Sequence, residues 1–206
     1  MMNSRVVDII LKNPDQRCID LAVDKLKDGG IICYPTDTVY GLGASIRNKR
    51  AIEKISRIKS IANQKLLSFI CKDLKDISSY AYVSNHAYKI MRRCLPGPYT
   101  FILPATSEAP KRLSQKRRTV GIRIPDSILC KTIVDQLGLP ILSTSVPAGP
   151  NEILNDPYEI ERRFGDKLDL ILNGGILVSK PSTVVDLTNH KPVIIRKGAG
   201  DTALIY

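Results

Sequence analysis

The sequence predicts one domain, residues 1–206, of the α/β or α+β class. Helical and strand patterns alternate along the whole chain, with no internal repeat and no low-complexity linker. A length of 206 residues fits a single domain. With 43% hydrophobic and 25% charged residues, the composition excludes a mainly disordered chain. Trp is absent and Phe occurs three times, so the predicted core is aliphatic.

The N-terminal half alternates helix and strand. Apolar residues at helical spacing predict a helix over residues 15–28, which Gly29 and Gly30 end. The apolar run at residues 31–34 then predicts a buried strand. A further helix is predicted over residues 48–59 and a further strand over residues 66–71.

The C-terminal half continues the same alternation. Ser84 can cap a helix that runs to residue 94 and that Pro96 stops. A helix from Asp126 to residue 137 is closed by Gly138, and a short charged helix is predicted over residues 157–164. Strands are predicted over residues 99–103, 119–124, 140–143, 168–172, 183–187 and 193–196.

Apolar runs and cysteines indicate the cell compartment. No apolar run approaches the roughly 20 residues that span a bilayer, and the first residues lack a segment long enough for a signal peptide. The five cysteines are odd in number and show no CxxC spacing, which predicts reduced, buried thiols in a cytoplasmic protein. Two histidines cannot build a His-rich metal site, so we expect no bound metal.

Basic charge is concentrated in one segment. The net charge is +11, and residues 86–123 carry +8 of it. Such an excess favours an anionic partner, either a nucleotide phosphate or a nucleic acid, although basic charge can also serve solubility alone. The predicted phosphate-contact patch for RNA comprises Lys111, Arg112, Lys116, Arg117 and Arg118.

Polar loops after strands offer more chemistry than any familiar catalytic motif. The chain has no P-loop, no GxSxG and no HExxH. Residues 34–43, YPTDTVYGLG, place two hydroxyls and a carboxylate after a buried strand, as either a ligand loop or a simple turn. Hydroxyl clusters at residues 143–145 and 181–183, and Arg196 at a strand end, can likewise bind a ligand or only cap and turn.

Arg123 stands between two isoleucines in a predicted strand. A buried, unpaired charge is costly, so the guanidinium requires a partner. That partner is either a protein carboxylate or a ligand carboxylate held bidentately.

Six sequence blocks then identify a family. The blocks are YPTDTVYGLG (34–43), PGPYTFIL (96–103), TVGIRIP (119–125), LPILSTS (139–145), PSTVVD (181–186) and VIIRKGAG (193–200). In this order they resemble the YrdC-like threonylcarbamoyl-AMP synthases and, more closely, their YciO-like paralogues. The resemblance implies a single α/β YrdC-like domain with a twisted mixed sheet, flanked by helices and bearing a basic concave face.

The resemblance also implies an activity and partners. The family, which consists of nucleotidyltransferases, condenses L-threonine, bicarbonate and ATP with Mg²⁺ into threonylcarbamoyl-AMP and releases pyrophosphate. Other proteins transfer the threonylcarbamoyl group to adenosine 37 of tRNA. Members are also described as binding double-stranded RNA, so tRNA or double-stranded RNA is a further implied partner. No tightly bound cofactor and no membrane contact are expected.

Site residues follow from the matched blocks. The resemblance implies that L-threonine contacts Thr36, Tyr40, Arg123 and Ser182. It implies that the nucleotide faces Lys59, Thr119, Ser143, Ser145 and Arg196. The chemistry requires no side-chain nucleophile, because catalysis consists of positioning and of neutralising phosphate charge.

Two positions depart from the synthase pattern. Typical synthases have Lys-x-Arg where this chain has Lys59, Ser60 and Ile61, and Ser-x-Asn where it has Ser145, Val146 and Pro147. At Pro147, a side-chain amide that donates hydrogen bonds is thus replaced by a side chain without a donor. Two readings therefore stand side by side: a weak or specialised synthase, and a non-catalytic paralogue that binds RNA or nucleotide.

Overall fold

Helices and strands alternate through the described chain, as the sequence predicts. The computed structural model describes residues 5–61, 67–109, 119–149 and 152–206. In chain order its elements are β1 (Arg5–Asp8), α1 (Gln16–Lys27), β2 (Ile32–Tyr34), β3 (Gly41–Ser45), α2 (Lys49–Ile61), β4 (Ser68–Ile70), α3 (Leu74–Ile77), α4 (Asn85–Cys94), β5 (Tyr99–Pro104), β6 (Thr119–Arg123), α5 (Ile128–Leu137), β7 (Ile141–Ser145), α6 (Pro157–Phe164), β8 (Leu170–Asn173), β9 (Thr183–Asp186) and β10 (Val193–Arg196). Short 3-10 segments cover Gly165–Lys167 and Thr202–Ile205.

Local capping residues set the ends of α4 and α5. The Ser84 hydroxyl accepts a hydrogen bond from the Ala87 backbone N–H at 3.2 Å, which starts α4 as predicted. Helix α5 begins at Ile128 with Ser127 as its cap, two residues later than the predicted start at Asp126. The Asp126 N–H instead donates to the Asp37 carboxylate at 3.1 Å. Gly138 ends α5 with φ of +71°, a left-handed conformation that favours glycine.

The strands of the described residues form one mixed sheet of ten strands in the order β1-β8-β2-β3-β7-β4-β6-β5-β9-β10. Pairs β1/β8, β2/β8, β4/β6 and β5/β9 are parallel. Pairs β2/β3, β3/β7, β4/β7, β5/β6 and β9/β10 are antiparallel. The predicted mixed sheet flanked by helices is thereby confirmed.

Strand β3 was predicted as part of a polar loop, and this prediction is wrong. All five residues of β3 are buried, and β3 pairs with both β2 and β7. Its glycines are required by close packing rather than by a turn. A Cβ on Gly43 would lie 2.7 Å from the Tyr34 ring and 2.8 Å from the Ile141 side chain. The Tyr34 ring thus takes the space that a side chain on β3 would occupy.

Helices cover both faces of the sheet, and one face remains partly open. The face that carries Ile70 and Ile141, called here the α5 face, packs against α1 and α5. The opposite face packs against α2, α4 and α6. On β5, Tyr99, Phe101 and Leu103 are buried against α4, whereas alternate residues on the α5 face are half-buried. The half-buried stretch of the α5 face, called here the open face, carries Ser68, Thr100, Ile102, Thr119 and Gly121.

Four of the five cysteines are buried thiols, as predicted. Burial raises the pKa of Cys33, Cys71, Cys94 and Cys130, in the last case to about 12. Cys18 of α1 is half-buried instead and packs against the core on the α5 face. No helix among the described residues is long and apolar enough to cross a membrane.

Candidate functional site

Polar side chains from three strands, β6, β5 and β10, lie in one row on the α5 face. Arg123, the last residue of β6, pairs with Ile70 of β4, and its side chain therefore lies on the α5 face. Phe101 pairs with Ile122, so Thr100 stands beside Arg123 on β5. Thr100 in turn pairs with Val184 of β9, and Val184 with Arg196 of β10. The register thus places Arg123, Thr100 and Arg196 in one row across the sheet.

The Arg123 guanidinium pairs with a protein carboxylate. Its Nη2 donates to Asp37 Oδ1 at 2.7 Å and to the Thr38 hydroxyl at 3.0 Å. The exposed fractions of the Arg123 and Asp37 side chains are 10% and 8%. Burial raises the pKa of Asp37, against the opposing effects of Arg123 and of the Asp126 backbone N–H. Of the two partners that the sequence left open for Arg123, the structure contains the protein carboxylate.

One donor of Arg123 has no acceptor. The residue is 9% exposed, and its Nε–H is buried without a hydrogen-bond partner among the residues that the structure describes. A buried donor without an acceptor costs about 1–3 kcal/mol, and more when it belongs to a charged group. The Nε atom is closed to solvent, so a ligand that contacts Arg123 does so through another of its atoms.

Hydroxyls in the loop after β2 hold that loop in place. The Thr36 hydroxyl donates to the Val39 carbonyl at 2.7 Å and accepts from the Thr38 backbone N–H at 3.1 Å. Its oxygen also lies 3.1 Å from the Thr38 hydroxyl, which accepts from Arg123. Thr36, predicted to contact the substrate threonine, is therefore linked to Arg123 through Thr38.

Ser182 and Arg196 form a second cluster in the same row. Arg196 donates to the Ser182 carbonyl from Nε at 3.1 Å and from Nη2 at 2.9 Å. Nη2 also reaches the Ser182 hydroxyl at 3.3 Å, and that hydroxyl lies 2.8 Å from the Thr100 hydroxyl. Partial burial lowers the pKa of Arg196, and the positive charge of Arg123 lowers it further. Arg196, predicted on the nucleotide side, is thus placed with the predicted threonine residues.

Tyr40 has a structural environment. Its side chain is fully buried, its hydroxyl donates to the Gly175 carbonyl at 2.8 Å, and the Gly174 N–H donates to it at 2.9 Å. Burial raises the pKa of Tyr40 to about 12. Its backbone N–H donates to Asn155 Oδ1 at 3.2 Å. Tyr40, predicted to contact L-threonine, therefore anchors the turn after β8.

The remaining predicted nucleotide residues lie toward the other end of the strands. Ser143 is buried, and its hydroxyl accepts from the Tyr34 hydroxyl at 2.7 Å. Thr119 is four residues before Arg123 on β6, roughly 13 Å along the strand. Ser145 ends β7 opposite Gly41. The Lys59 side chain and the predicted RNA residues Lys111, Arg112, Lys116, Arg117 and Arg118 lie outside the described residues.

Sequence reasoning missed Asp37, Thr38 and Thr100 as site residues. Asp37 was noted as an acid between two threonines, but nothing in the sequence connected it with Arg123. Thr100 belongs to the PGPYTFIL block, where alternation along the strand places it on the face opposite to Phe101. Among the described residues, no group of three or more His, Cys, Asp or Glu could hold a metal ion.

Comparison with known proteins defines the class. Residues 24–198 match the Sua5/YciO/YrdC family model, described as telomere recombination. The chain therefore belongs to the Sua5/YciO/YrdC family, which confirms the resemblance found in its sequence blocks.

Particular relatives include both YciO and synthase members. The uncharacterized protein YciO of Escherichia coli K12 is 44% identical over 191 residues, 92% of this chain and 93% of that protein. A putative threonylcarbamoyl-AMP synthase of Methanocaldococcus jannaschii is 31% identical over 201 residues, 96% of this chain and 94% of that protein.

Solved structures confirm the fold. The crystal structure of E. coli YciO has a TM-score of 0.93 at 42% identity and covers 98% of this chain and 100% of its own. P. abyssi Sua5 complexed with L-threonine has a TM-score of 0.86 at 24% identity, with 95% of this chain and 58% of that chain covered. At that identity the likeness to Sua5 shows the fold.

Proposed function

We propose that this protein forms threonylcarbamoyl-AMP from L-threonine, bicarbonate and ATP, with release of pyrophosphate. The observation that carries the proposal is the row of Arg123, Thr100 and Arg196 on the α5 face, which Ser182 joins through its contacts with Thr100 and Arg196. A guanidinium in such a row binds the carboxylate of a small ligand, and the hydroxyls bind its other polar groups. The synthase name of a relative aligned over 96% of this chain, and the bound L-threonine of P. abyssi Sua5, support the choice of amino acid.

The amino acid binds along the row of side chains that runs from Arg123 through Thr100 to Arg196. Its carboxylate meets Arg123, and the Ser182 and Thr100 hydroxyls offer both donors and acceptors to its ammonium and hydroxyl groups. Thr36 and Thr38 contribute by fixing the loop that holds Arg123. A site of this kind rejects an analogue without the polar group, because its own polar groups are then left unpaired.

The nucleotide lies along the open face. Four of the five residues of this face, Ser68, Thr100, Thr119 and Gly121, have small side chains. Lys59, Ser145 and Arg196 are the residues proposed to meet the phosphates. Mg²⁺ enters with ATP as part of the substrate complex and neutralises phosphate charge.

The chemistry proceeds by positioning. The threonine amine takes up CO₂ derived from bicarbonate and gives a carbamate with loss of water. A carbamate oxygen then attacks the α-phosphorus of ATP, and the bond to the β-phosphate oxygen breaks, so that pyrophosphate leaves. Alignment of the reacting atoms and positive charge around the phosphates supply the rate.

The two departures predict a slow enzyme. Ile61 and Pro147 stand where synthases carry an Arg and an Asn, and each lost phosphate contact costs about 1.5–3 kcal/mol. Two such losses slow the reaction by roughly 10²- to 10⁴-fold. Ile61→Arg combined with Pro147→Asn is accordingly expected to raise the rate.

Pyrophosphate release tests the proposal. It is measured with ATP and Mg²⁺, with and without L-threonine and bicarbonate, on wild type, Arg123→Ala and the exposed control Arg92→Ala. We expect release that requires both co-substrates, a roughly 10- to 100-fold loss in Arg123→Ala and no change in the control. Folded protein that releases no pyrophosphate above background would contradict the proposal.

A second candidate function is RNA binding without turnover. The observation that favours it is the exposed side of α4, where Lys89, Arg92 and Arg93 face solvent within the basic segment. Phosphate contacts of exposed Lys and Arg supply most of the affinity of non-specific nucleic-acid binding. Salt dependence separates this function from catalysis, because a small-molecule site is much less sensitive to ionic strength.

A further inference from the structure

The Arg123 guanidinium has a restricted set of available hydrogens. A guanidinium grips a carboxylate bidentately through one of two edges, the Nε/Nη2 edge or the Nη1/Nη2 edge, and each edge needs a hydrogen of Nη2. Nη2 carries two hydrogens. Asp37 Oδ1 takes one at 2.7 Å and the Thr38 hydroxyl takes the other at 3.0 Å. Neither edge therefore has two hydrogens to offer a ligand.

We propose that Asp37 is a positioning residue that, together with Thr38, occupies both hydrogens of Arg123 Nη2 and so limits Arg123 to one-point contacts with a ligand carboxylate. The identity of the carboxylate as that of an amino acid rests on the proposed function. The positioning of Arg123 by Asp37 does not depend on it. Arg123 therefore orients its ligand by one fixed donor rather than by a fork.

Both carboxylate oxygens of Asp37 accept hydrogen bonds. Because Asp37 is held in this way, it stays bonded to Arg123 Nη2 and is not displaced by a ligand carboxylate. Oδ1 accepts from Arg123, and Oδ2 accepts from the Asp126 backbone N–H at 3.1 Å, just before the cap of α5. The Cys130 thiol of α5 also reaches the Pro35 carbonyl at 3.7 Å, so the same loop is tied to the same helix twice. With 8% of its side chain exposed, Asp37 has little freedom to swing away.

The one-point contact has a consequence for recognition. A carboxylate bound to Arg123 through one oxygen keeps its other oxygen for another donor. The polar groups that follow Arg123 in its row are the hydroxyls of Thr100 and Ser182 and the guanidinium of Arg196. The ligand is thus held between the two clusters, and recognition requires both.

The experiment follows the Arg123 Nε–H directly by ¹⁵N–¹H NMR. Wild type is expected to give a resolved, slowly exchanging Nε–H signal that is assigned by its loss in Arg123→Lys. In Asp37→Asn, hydrogen exchange of this signal is expected to become at least about tenfold faster, because the guanidinium loses its charged partner. Asp37→Glu, which keeps the carboxylate, is expected to restore slow exchange in part. The matched control is Asp135→Asn on α5, whose carboxylate pairs with Lys72 at the surface.

Ligand binding is measured on the same samples. L-threonine is expected to shift the signal in wild type, and 1-amino-2-propanol, which lacks the carboxylate, is not. Affinity for L-threonine is expected to fall at least about tenfold in Asp37→Asn, about 1.4 kcal/mol, and to stay within twofold in the control. Isothermal titration calorimetry gives these affinities.

The outcomes separate the two ideas. Folded Asp37→Asn with an unchanged exchange rate would overturn the positioning role. Faster exchange in Asp37→Asn, in a wild type that does not bind L-threonine, would overturn the proposed function and leave the positioning role supported. If circular dichroism shows that Asp37→Asn is unfolded, Thr38→Val is tested instead, since it removes the other acceptor of Nη2. An unchanged exchange rate in that variant would equally overturn the inference.

Discussion

At the scale of single residues, the structure explains which polar groups a sequence can and cannot assign. Arg123 was predictable as a site residue, because a charge between two isoleucines of a strand demands a partner. Asp37 was not predictable as that partner, since it is distant in sequence and meets Arg123 only after the loop closes against α5. Tyr40 lay in a matched block, yet its hydroxyl serves the backbone of residues 174 and 175.

Tyr40→Phe tests this structural role. The substitution leaves the Gly174 N–H without its acceptor and the Gly175 carbonyl without its donor in a buried place. We expect the free energy of unfolding to fall by about 1–3 kcal/mol in urea denaturation. Tyr88→Phe on α4, where the ring is 46% exposed, is the control and is expected to change stability by less than about 0.5 kcal/mol. Equal stability of the two variants would show that the Tyr40 hydroxyl bonds contribute nothing net.

At the scale of elements, helices were easier to predict than strands. Caps at Ser84 and Gly138 marked helix ends by local chemistry, and the structure keeps both. Strands β1 and β3 were missed for two different reasons. β1 has four residues and no alternating pattern long enough to recognise. The glycines of β3 are typical of a turn in the sequence. In the structure Gly43 is required because the Tyr34 ring packs against it.

Helix α6 carries a network of ion pairs that depends on pH. Glu159 accepts from Arg162 at 2.7 and 2.6 Å and from Arg163 at 2.7 Å, and Arg163 also binds Glu152 at 2.7 Å. Hydrogen bonds from Arg162 and then Arg163 lower the pKa of Glu159 to about 2. A carboxyl whose pKa is lower in the folded state stabilises the fold above its unfolded pKa, and this stabilisation is lost as pH falls.

Glu159→Gln tests this pH dependence. Wild type is expected to melt at a higher temperature than Glu159→Gln at pH 7, and the difference should shrink as pH falls from about 4.5 towards about 2, where Glu159 protonates. Thermal melts followed by circular dichroism across this range provide the measurement. Glu161→Gln on the same helix is the control, since Glu161 forms no ion pair with a described residue. A difference that does not vary with pH would contradict the assignment.

At the scale of the whole molecule, the sequence predicts the fold better than it predicts the arrangement of the site. The fold class and the family were predictable, because six separated blocks occur in one order and the composition is that of a globular chain. The arrangement of the site was not predictable, since its residues come from the loop after β2, from β5, β6 and β10, and from Ser182 just before β9. Mixed pairing brings these segments into one row, and no local pattern encodes that order.

Charge reversal on α4 tests the RNA-binding alternative. The triple variant Lys89→Glu, Arg92→Glu and Arg93→Glu is expected to weaken binding to double-stranded RNA at least about tenfold and to reduce the slope of log K against log salt by about 2–3. Filter binding at several salt concentrations gives both quantities. The control is Lys12→Glu, Arg17→Glu and Lys27→Glu, which makes the same change in net charge on exposed residues around α1. Equal losses in both variants would indicate a general charge effect rather than a binding surface.

The position of β8 in the sheet governs when the protein can acquire its function during synthesis. β8 lies between β1 and β2, so Leu170 is the neighbour of both Arg5 and Ile32. Neither N-terminal strand can take its parallel partner until most of the chain has left the ribosome, and Arg196 emerges later still. Pairing over such sequence distances makes folding slow. A nascent chain that lacks β9 and β10 therefore lacks Arg196, and the row of polar residues is incomplete until these strands have emerged.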